Sequence, residues 1–213
     1  MTTVGQPRAA RGRRSARPTG EDREQAILAT ARQLLEHRPF AEVSVDDLAR
    51  GAGLSRPTFY FYFQSKEAVL LSLVEPLIAA VDANLEGAAA RVPQDPRKMF
   101  HSGINAFFST FRADPAVARA GMALLNHNAE FRRQWSTAMT KWIRQTAALI
   151  EAERARGAAP DTIPALDLAT SLNQMNERAM IASLSAEQPA IPEAHIVDTL
   201  THIWMASIYA GSA

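Results

Sequence analysis

Ser44-Val45-Asp46-Asp47-Leu48-Ala49-Arg50-Gly51-Ala52-Gly53-Leu54-Ser55 runs directly into Arg56-Pro57-Thr58-Phe59-Tyr60-Phe61-Tyr62-Phe63-Gln64-Ser65-Lys66-Glu67. Ser44 and Asp47 have the spacing of a capping box, which opens a helix. Val45, Leu48, Ala49 and Ala52 recur every three or four residues, so one face of that helix can point inward. Gly53 can take the left-handed backbone that a tight turn needs, and Leu54 can anchor the turn. Ser55 caps a second helix, and Pro57 falls in its first turn, where a missing N–H costs nothing. The reading is helix, tight turn, short crossing helix, the arrangement that lays its second helix in a major groove. Taken alone, the pattern also fits an ordinary helical hairpin.

The second helix supplies the candidate DNA contacts. Phe59 and Phe63 are spaced to pack inward, which leaves Arg56, Thr58, Tyr60 and Tyr62 facing outward. Arg, Thr and Tyr side chains can bond phosphates or base edges, and a threonine methyl can touch thymine. Ser44, Ser55 and Pro57, at the starts of the two helices, are counted with the candidate DNA contacts. Lys66, at the start of the next helix, is placed for a further phosphate.

Upstream, residues 1–20 hold Arg8, Arg11, Arg13, Arg14 and Arg17 and no acid. The whole chain is only +1, so the remainder is mildly acidic. A cationic arm on an acidic body points to a local anionic partner. With Gly, Pro and small residues around its arginines, 1–18 is expected to be a disordered basic arm. Beside a helix-turn-helix, Arg13, Arg14 and Arg17 can enter the adjacent minor groove. The bland reading is a solvated tail. Arg13-Arg14 is followed by no apolar stretch, so it does not read as an export signal.

Downstream the pattern is helical almost throughout. Helices are expected near 20–37, 44–51, 55–62, 66–90, 96–111, 115–125, 128–156, 164–186 and 192–210. Thr19 with Asp22 forms another capping box, and Asp95-Pro96 and Asp114-Pro115 each set a capping acid before a first-turn proline. Pro164 and Pro192 can open two more helices. Pro76 interrupts the fourth, where a kink is expected. No stretch alternates with a period of two, so the chain is expected to be all-α: a three-helix head, 19–65, and a six-helix body, 66–213. No run reaches the length of uninterrupted apolar residues that a membrane span needs, so no membrane is expected. There is no Cys, which removes disulfides, thiolate zinc sites and cysteine nucleophiles and fits a reducing cytoplasm.

Three body helices carry stripes. Phe100, Ile104, Phe107, Phe108 and Phe111 lie on one face of the fifth helix. Trp135, Met139, Trp142 and Thr146 lie on one face of the seventh, with Gln145 beside them. Such stripes usually mean an ordinary core. The eighth helix is different: Asn173, Asn176 and Glu177 share a stripe with Leu166, Ala169, Met180, Ile181 and Leu184. Burying two amides and a carboxylate is costly unless each finds a partner. An apolar cavity with a few convergent polar groups would explain them, and so would a satisfied polar cluster. The ninth helix, with Ile196, Val197, Leu200, Ile203, Trp204, Met205, Ile208 and Tyr209, is apolar on more than one face. One side is expected to close the cavity. The other, with the eighth helix, is expected to form a two-fold dimer interface that matches a pseudo-palindromic operator.

The residues from Ser55 to Glu67 resemble the signature of the TetR family of transcriptional regulators. Ala26 to Leu35 and Val45 to Leu54 are similar to its preceding helices. A second set is similar to one member of that family over nearly the whole chain: Arg11-Gly12-Arg13-Arg14, Lys141-Trp142-Ile143, Glu151-Ala152-Glu153-Arg154, Met175-Asn176-Glu177-Arg178 and His202-Ile203-Trp204. The resemblance implies a repressor that binds an operator as a homodimer and is released by an elongated apolar molecule in the body. It adds Leu85, Met99 and Trp204 to the implied ligand contacts beside Phe100, Ile104, Phe107, Phe111, Trp135, Met139, Trp142, Gln145, Thr146, Asn173, Asn176, Glu177 and Ile181. No cofactor and no metal are expected. The five histidines include no i, i+4 pair, and there is no Gly-rich phosphate loop and no nucleophile elbow. An enzyme is thus the weak rival, and a DNA-binding protein blind to ligands the stronger one.

Overall fold

The computed structural model describes residues 19–90, 95–125, 127–186 and 188–210. Among them lie nine α-helices and no strand: α1 Gly20–His37, α2 Val45–Gly51, α3 Arg56–Phe59, α4 Lys66–Ala90, α5 Pro96–Ala113, α6 Pro115–Leu124, α7 Ala129–Ala155, α8 Ala165–Leu184 and α9 Glu193–Tyr209. The basic arm, with Arg13, Arg14 and Arg17, lies outside the described residues.

The helix starts follow from local hydrogen bonds. Thr19 and Ser44 form reciprocal capping boxes with Asp22 and Asp47. Ser55, Asp95 and Asp114 cap α3, α5 and α6, each ahead of a first-turn proline. Pro164 and Pro192 stand immediately before α8 and α9. Asn128, whose side chain accepts from the Phe131 N–H, does the same for α7.

One local expectation changes. The second helix of the head is shorter than 55–62, ending at Phe59. Beyond it the chain tightens, with Phe61 N–H bonding Thr58 O (3.2 Å) and Tyr62 N–H bonding Phe59 O (2.9 Å). That i to i+3 pattern lets Phe59 and Phe63 both reach the core. Helix α4 has the expected span of 66–90 and runs on through Pro76, which lies on the exposed side.

The turn between α2 and α3 depends on glycine twice. Gly53 has a φ of 68°, in the left-handed region. A Cβ at Gly51 would collide with the Thr30 methyl, so only glycine lets α2 lie this close to α1.

One hydrophobic core runs from Ile27 in the head to Ile208 in the last helix. Helix α4 packs on α1, α5 and α6; α7 packs on α8; and α9 packs on α5 and α8. The Lys66–Glu86 part of α4 is the one stretch among the described helices long and apolar enough, by length and composition, to cross a membrane (mean hydropathy 1.7). Glu75 and Asp82 interrupt that run. Val69, Leu70, Leu73, Val74 and Val81 sit in the core instead, so its apolar face is spent on neighbouring helices.

Candidate functional site

On the head, α3 and the turn after it form an outward ridge. Ser55 Oγ accepts from the Thr58 N–H (3.2 Å) and shares a hydrogen bond with the Thr58 hydroxyl (2.7 Å), so both hydroxyls hold the cap. Ser44 is spent likewise on Asp47. Arg56 is exposed and braces α3 to α2 through Asp46 (3.0 Å). Its guanidinium also donates to the Tyr60 hydroxyl (3.5 Å). Pro57 is exposed and Tyr62 half-buried.

Tyr60 is 46% exposed and Phe61 is 86% exposed. Phe61 was not among the expected contacts. Its signal was the spacing: Phe59 and Phe63 turn inward, and the ring two positions from each must turn out. An apolar ring held in water forgoes about 2 kcal/mol of burial.

Lys66 is a correction. Its ammonium donates to the carbonyls of Phe40 (3.1 Å), Ala41 (3.2 Å) and Val43 (2.7 Å) and sits over the Phe40 ring at 4.7 Å. Three carbonyl acceptors thus match the three donors of the ammonium. Lys66 ties the start of α4 to the turn before α2.

In the body, α4, α5, α7, α8 and α9 enclose a cavity of about 430 Å³. Met99, Phe100, Gly103, Ile104 and Phe107 of α5 form one wall. Met139, Trp142, Gln145, Thr146, Ala148 and Leu149 of α7 form the facing one. Leu85 and Glu86 of α4, Asn173 and Asn176 of α8 and Trp204 of α9 complete it. Gly103, Ala148, Leu149 and Glu86 were missed. Leu149 was legible, since it continues the face of Trp142, Gln145 and Thr146 by one turn.

Four expected contacts are corrected: Phe111, Trp135, Glu177 and Ile181 do not line this cavity. Phe111 stacks edge-on with Phe107 (5.2 Å) and Trp135 (5.8 Å), and Trp135 with Trp142 (5.8 Å), making a solid aromatic block at one end. Phe107 and Trp142 are the members of that block that face the cavity. Glu177 is held behind it, accepting from the Trp135 indole N–H (2.5 Å). Ile181 packs against the core away from the cavity.

On the eighth helix Asn176 is buried and Asn173 half-buried, and both are hydrogen-bonded. Asn173 donates to Thr146 Oγ1 (3.1 Å) and to Ala169 O (2.9 Å). Asn176, 6% exposed, accepts from the Trp204 indole N–H (3.1 Å). An indole can only donate, so the bond fixes the Asn176 oxygen toward Trp204 and leaves its NH2 as the group available to the cavity. The site therefore has apolar walls with oriented amides on one side. It contains no paired acid and base around a nucleophile, and its form is that of a binding pocket.

Comparison with known proteins agrees with both halves. The profile of bacterial regulatory proteins of the tetR family matches residues 27–73, and that of the transcriptional regulator EthR C-terminal domain matches 100–210. The HTH-type transcriptional regulator EthR of Mycolicibacterium smegmatis is 62% identical over 98% of this chain and 96% of its own. The EthR of Mycobacterium tuberculosis is 57% identical over 98% of each. Among solved structures, Thermus thermophilus FadR, a TetR family transcriptional repressor in complex with lauroyl-CoA, superposes with a TM-score of 0.63. It does so at 19% identity over 89% of this chain and 97% of that one. Such regulators bind DNA and are not enzymes. With a helix-turn-helix head and an EthR-type body matched along nearly its whole length, this chain belongs to the TetR family of transcriptional regulators.

Proposed function

We propose that the protein is a repressor whose hold on a pseudo-palindromic operator is broken by an apolar small molecule bound in the body. The observation that carries this reading is the cavity, with aromatic walls and the oriented Asn173 and Asn176 amides. The acyl-CoA carried by the FadR structure supports it, because a long apolar chain is what such walls favour. In this reading 1–18 is a DNA-binding arm acting through Arg13, Arg14 and Arg17. Residues 19–65 are the DNA-binding domain, and 66–213 bind ligand and form a homodimer. The protein works in the cytoplasm, where its operator is, without a cofactor. Arg56, Thr58, Tyr60 and Tyr62, with the helix starts at Ser44, Ser55 and Pro57, meet the DNA, and Phe61 joins them. The dimer forms through the outer faces of α8 and α9, where Leu166 is exposed and Val197, Ile203 and Met205 are only partly covered.

For the DNA face, Phe61→Ser and Tyr60→Ala are each expected to weaken operator binding by roughly 5- to 100-fold, the range for losing a base-edge contact. Stability should stay within about 0.5 kcal/mol of the parent, because both side chains are exposed. Parental affinity in fluorescence anisotropy for both variants would show that this ridge does not touch DNA.

For the cavity, hexyl benzoate serves as the test compound: two apolar arms around one ester acceptor. At 100 times its Kd it should stabilise the protein by about 2.7 kcal/mol and release operator over the same concentration range. Asn176→Leu should weaken its binding, since an apolar group cannot replace the amide donor. No thermal shift and no release would favour a DNA binder that ignores ligands.

A further inference from the structure

Trp142 is the wall residue that two different parts of the molecule hold. Its ring, 3% exposed, faces the cavity and is wedged edge-on between Phe107 (5.6 Å) and Trp135 (5.8 Å). Its indole N–H leaves the cavity altogether and donates to Asp82 Oδ1 of α4 at 2.7 Å. The other Asp82 oxygen accepts from Lys141 (3.0 Å), the residue before Trp142 on α7. Asp82 itself does not line the cavity.

Helix α4 begins at Lys66, whose ammonium is bonded to three carbonyls beside the helix-turn-helix. The two anchor points are about 24 Å apart along the helix at 1.5 Å per residue. Helix α4 also borders the cavity itself through Leu85 and Glu86, and Glu86 pairs with Lys141 (3.7 Å), but its other described side-chain hydrogen bond to the body and the head's ion pair to the body avoid the cavity wall. Asn84 donates to Thr110 (2.9 Å), which is not a lining residue. Arg32 pairs with Asp114 at the start of α6. The Asp82–Trp142 bond is the described hydrogen bond that joins α4 to a lining side chain of another helix.

We propose that Asp82 is the positioning residue that couples the cavity to the head: its charged hydrogen bond to the Trp142 indole makes a displacement of the cavity wall a displacement of α4. This rests on the ligand-release reading above. A charge-assisted bond of this kind is stiff enough to be made in one conformer and stretched in another, which is the differential interaction that coupling requires. Without it the cavity still fills and the head still binds, but a shift of the Trp142 wall no longer carries α4 with it.

The test measures operator affinity with and without saturating hexyl benzoate, and the melting temperature in the same two states. The readout is the ratio of the two affinities. In Asp82→Ala the thermal shift and the ligand-free operator affinity should stay near the parent, while the ratio falls by about tenfold, a typical coupling energy. Asp82→Asn keeps an acceptor for the indole and should keep the ratio. Lys141→Met removes the ion pairs to Asp82 and Glu86 while leaving the indole bond, and should keep it too. Trp142→Phe keeps a ring without the N–H, and its ratio should fall as in Asp82→Ala, which guards against a fold defect in either variant. A merely structural Asp82 would lower the melting temperature and leave the ratio unchanged, and that result overturns the proposal. So does a fall in Lys141→Met equal to that in Asp82→Ala. If the parent protein shows neither thermal shift nor release, the ligand-release reading itself has failed, and this inference fails with it.

Discussion

Lys66→Met is expected to destabilise the protein by about 3 kcal/mol, since hydrogen bonds from a charged donor to three carbonyls are lost together. That corresponds to a fall in melting temperature of about 6–12 °C for a chain of this size. The carbonyls of Phe40, Ala41 and Val43 would be left facing an apolar stem, two of the three bonds being partly buried. The Phe40 ring would also lose its cation. The salt dependence of operator binding separates this role from a phosphate contact. A phosphate contact contributes about 0.9 to the slope of log affinity against log salt. Here the slope should stay at its parental value while the melting temperature drops. A stable variant with a flatter slope would return Lys66 to the DNA.

Leu200→Glu and Ile203→Glu should fail in different ways. Both positions fall in the apolar run of α9, and the run by itself gives no reason to separate them. In the folded protomer Leu200 is 0% exposed, while Ile203 is only partly buried. A glutamate at 200 puts a carboxylate among Ile196, Trp204 and the rest of the core with no cationic partner, a cost of several kcal/mol that rivals the whole stability of a domain. The expected product is insoluble protein or one without a cooperative thermal transition. A glutamate at 203 leaves that core intact. It should yield a folded protein with a dimer at least about 100-fold weaker, as expected when a charge enters a buried interface position. Analytical ultracentrifugation beside circular dichroism tells the cases apart. A folded, dimeric Ile203→Glu would move the subunit contact off this face of α9.

The sequence by itself determined whatever depends on neighbours a few residues away. Each capping box, each proline at a helix start and the left-handed Gly53 could be read directly, because those bonds close within one turn of chain. The period of the apolar stripes likewise named the helices that build the body and put Phe100, Ile104, Phe107, Met139 and Trp142 on inward faces. A stripe, however, specifies only that a face is buried, and says nothing of what it is buried against. Whether Phe107 and Phe111, one turn apart, border a void or a solid block depends on where α7 crosses α5, and that crossing set Phe111 and Trp135 stacking behind the cavity. Lys66 shows the same limit for charge. Read along the chain, it stands beside a DNA-binding helix; in the fold, three carbonyls more than 20 residues away reach it first. Long side chains and flat rings choose among partners that are distant in sequence, so the tertiary structure decided which of the residues facing inward became cavity and which became core.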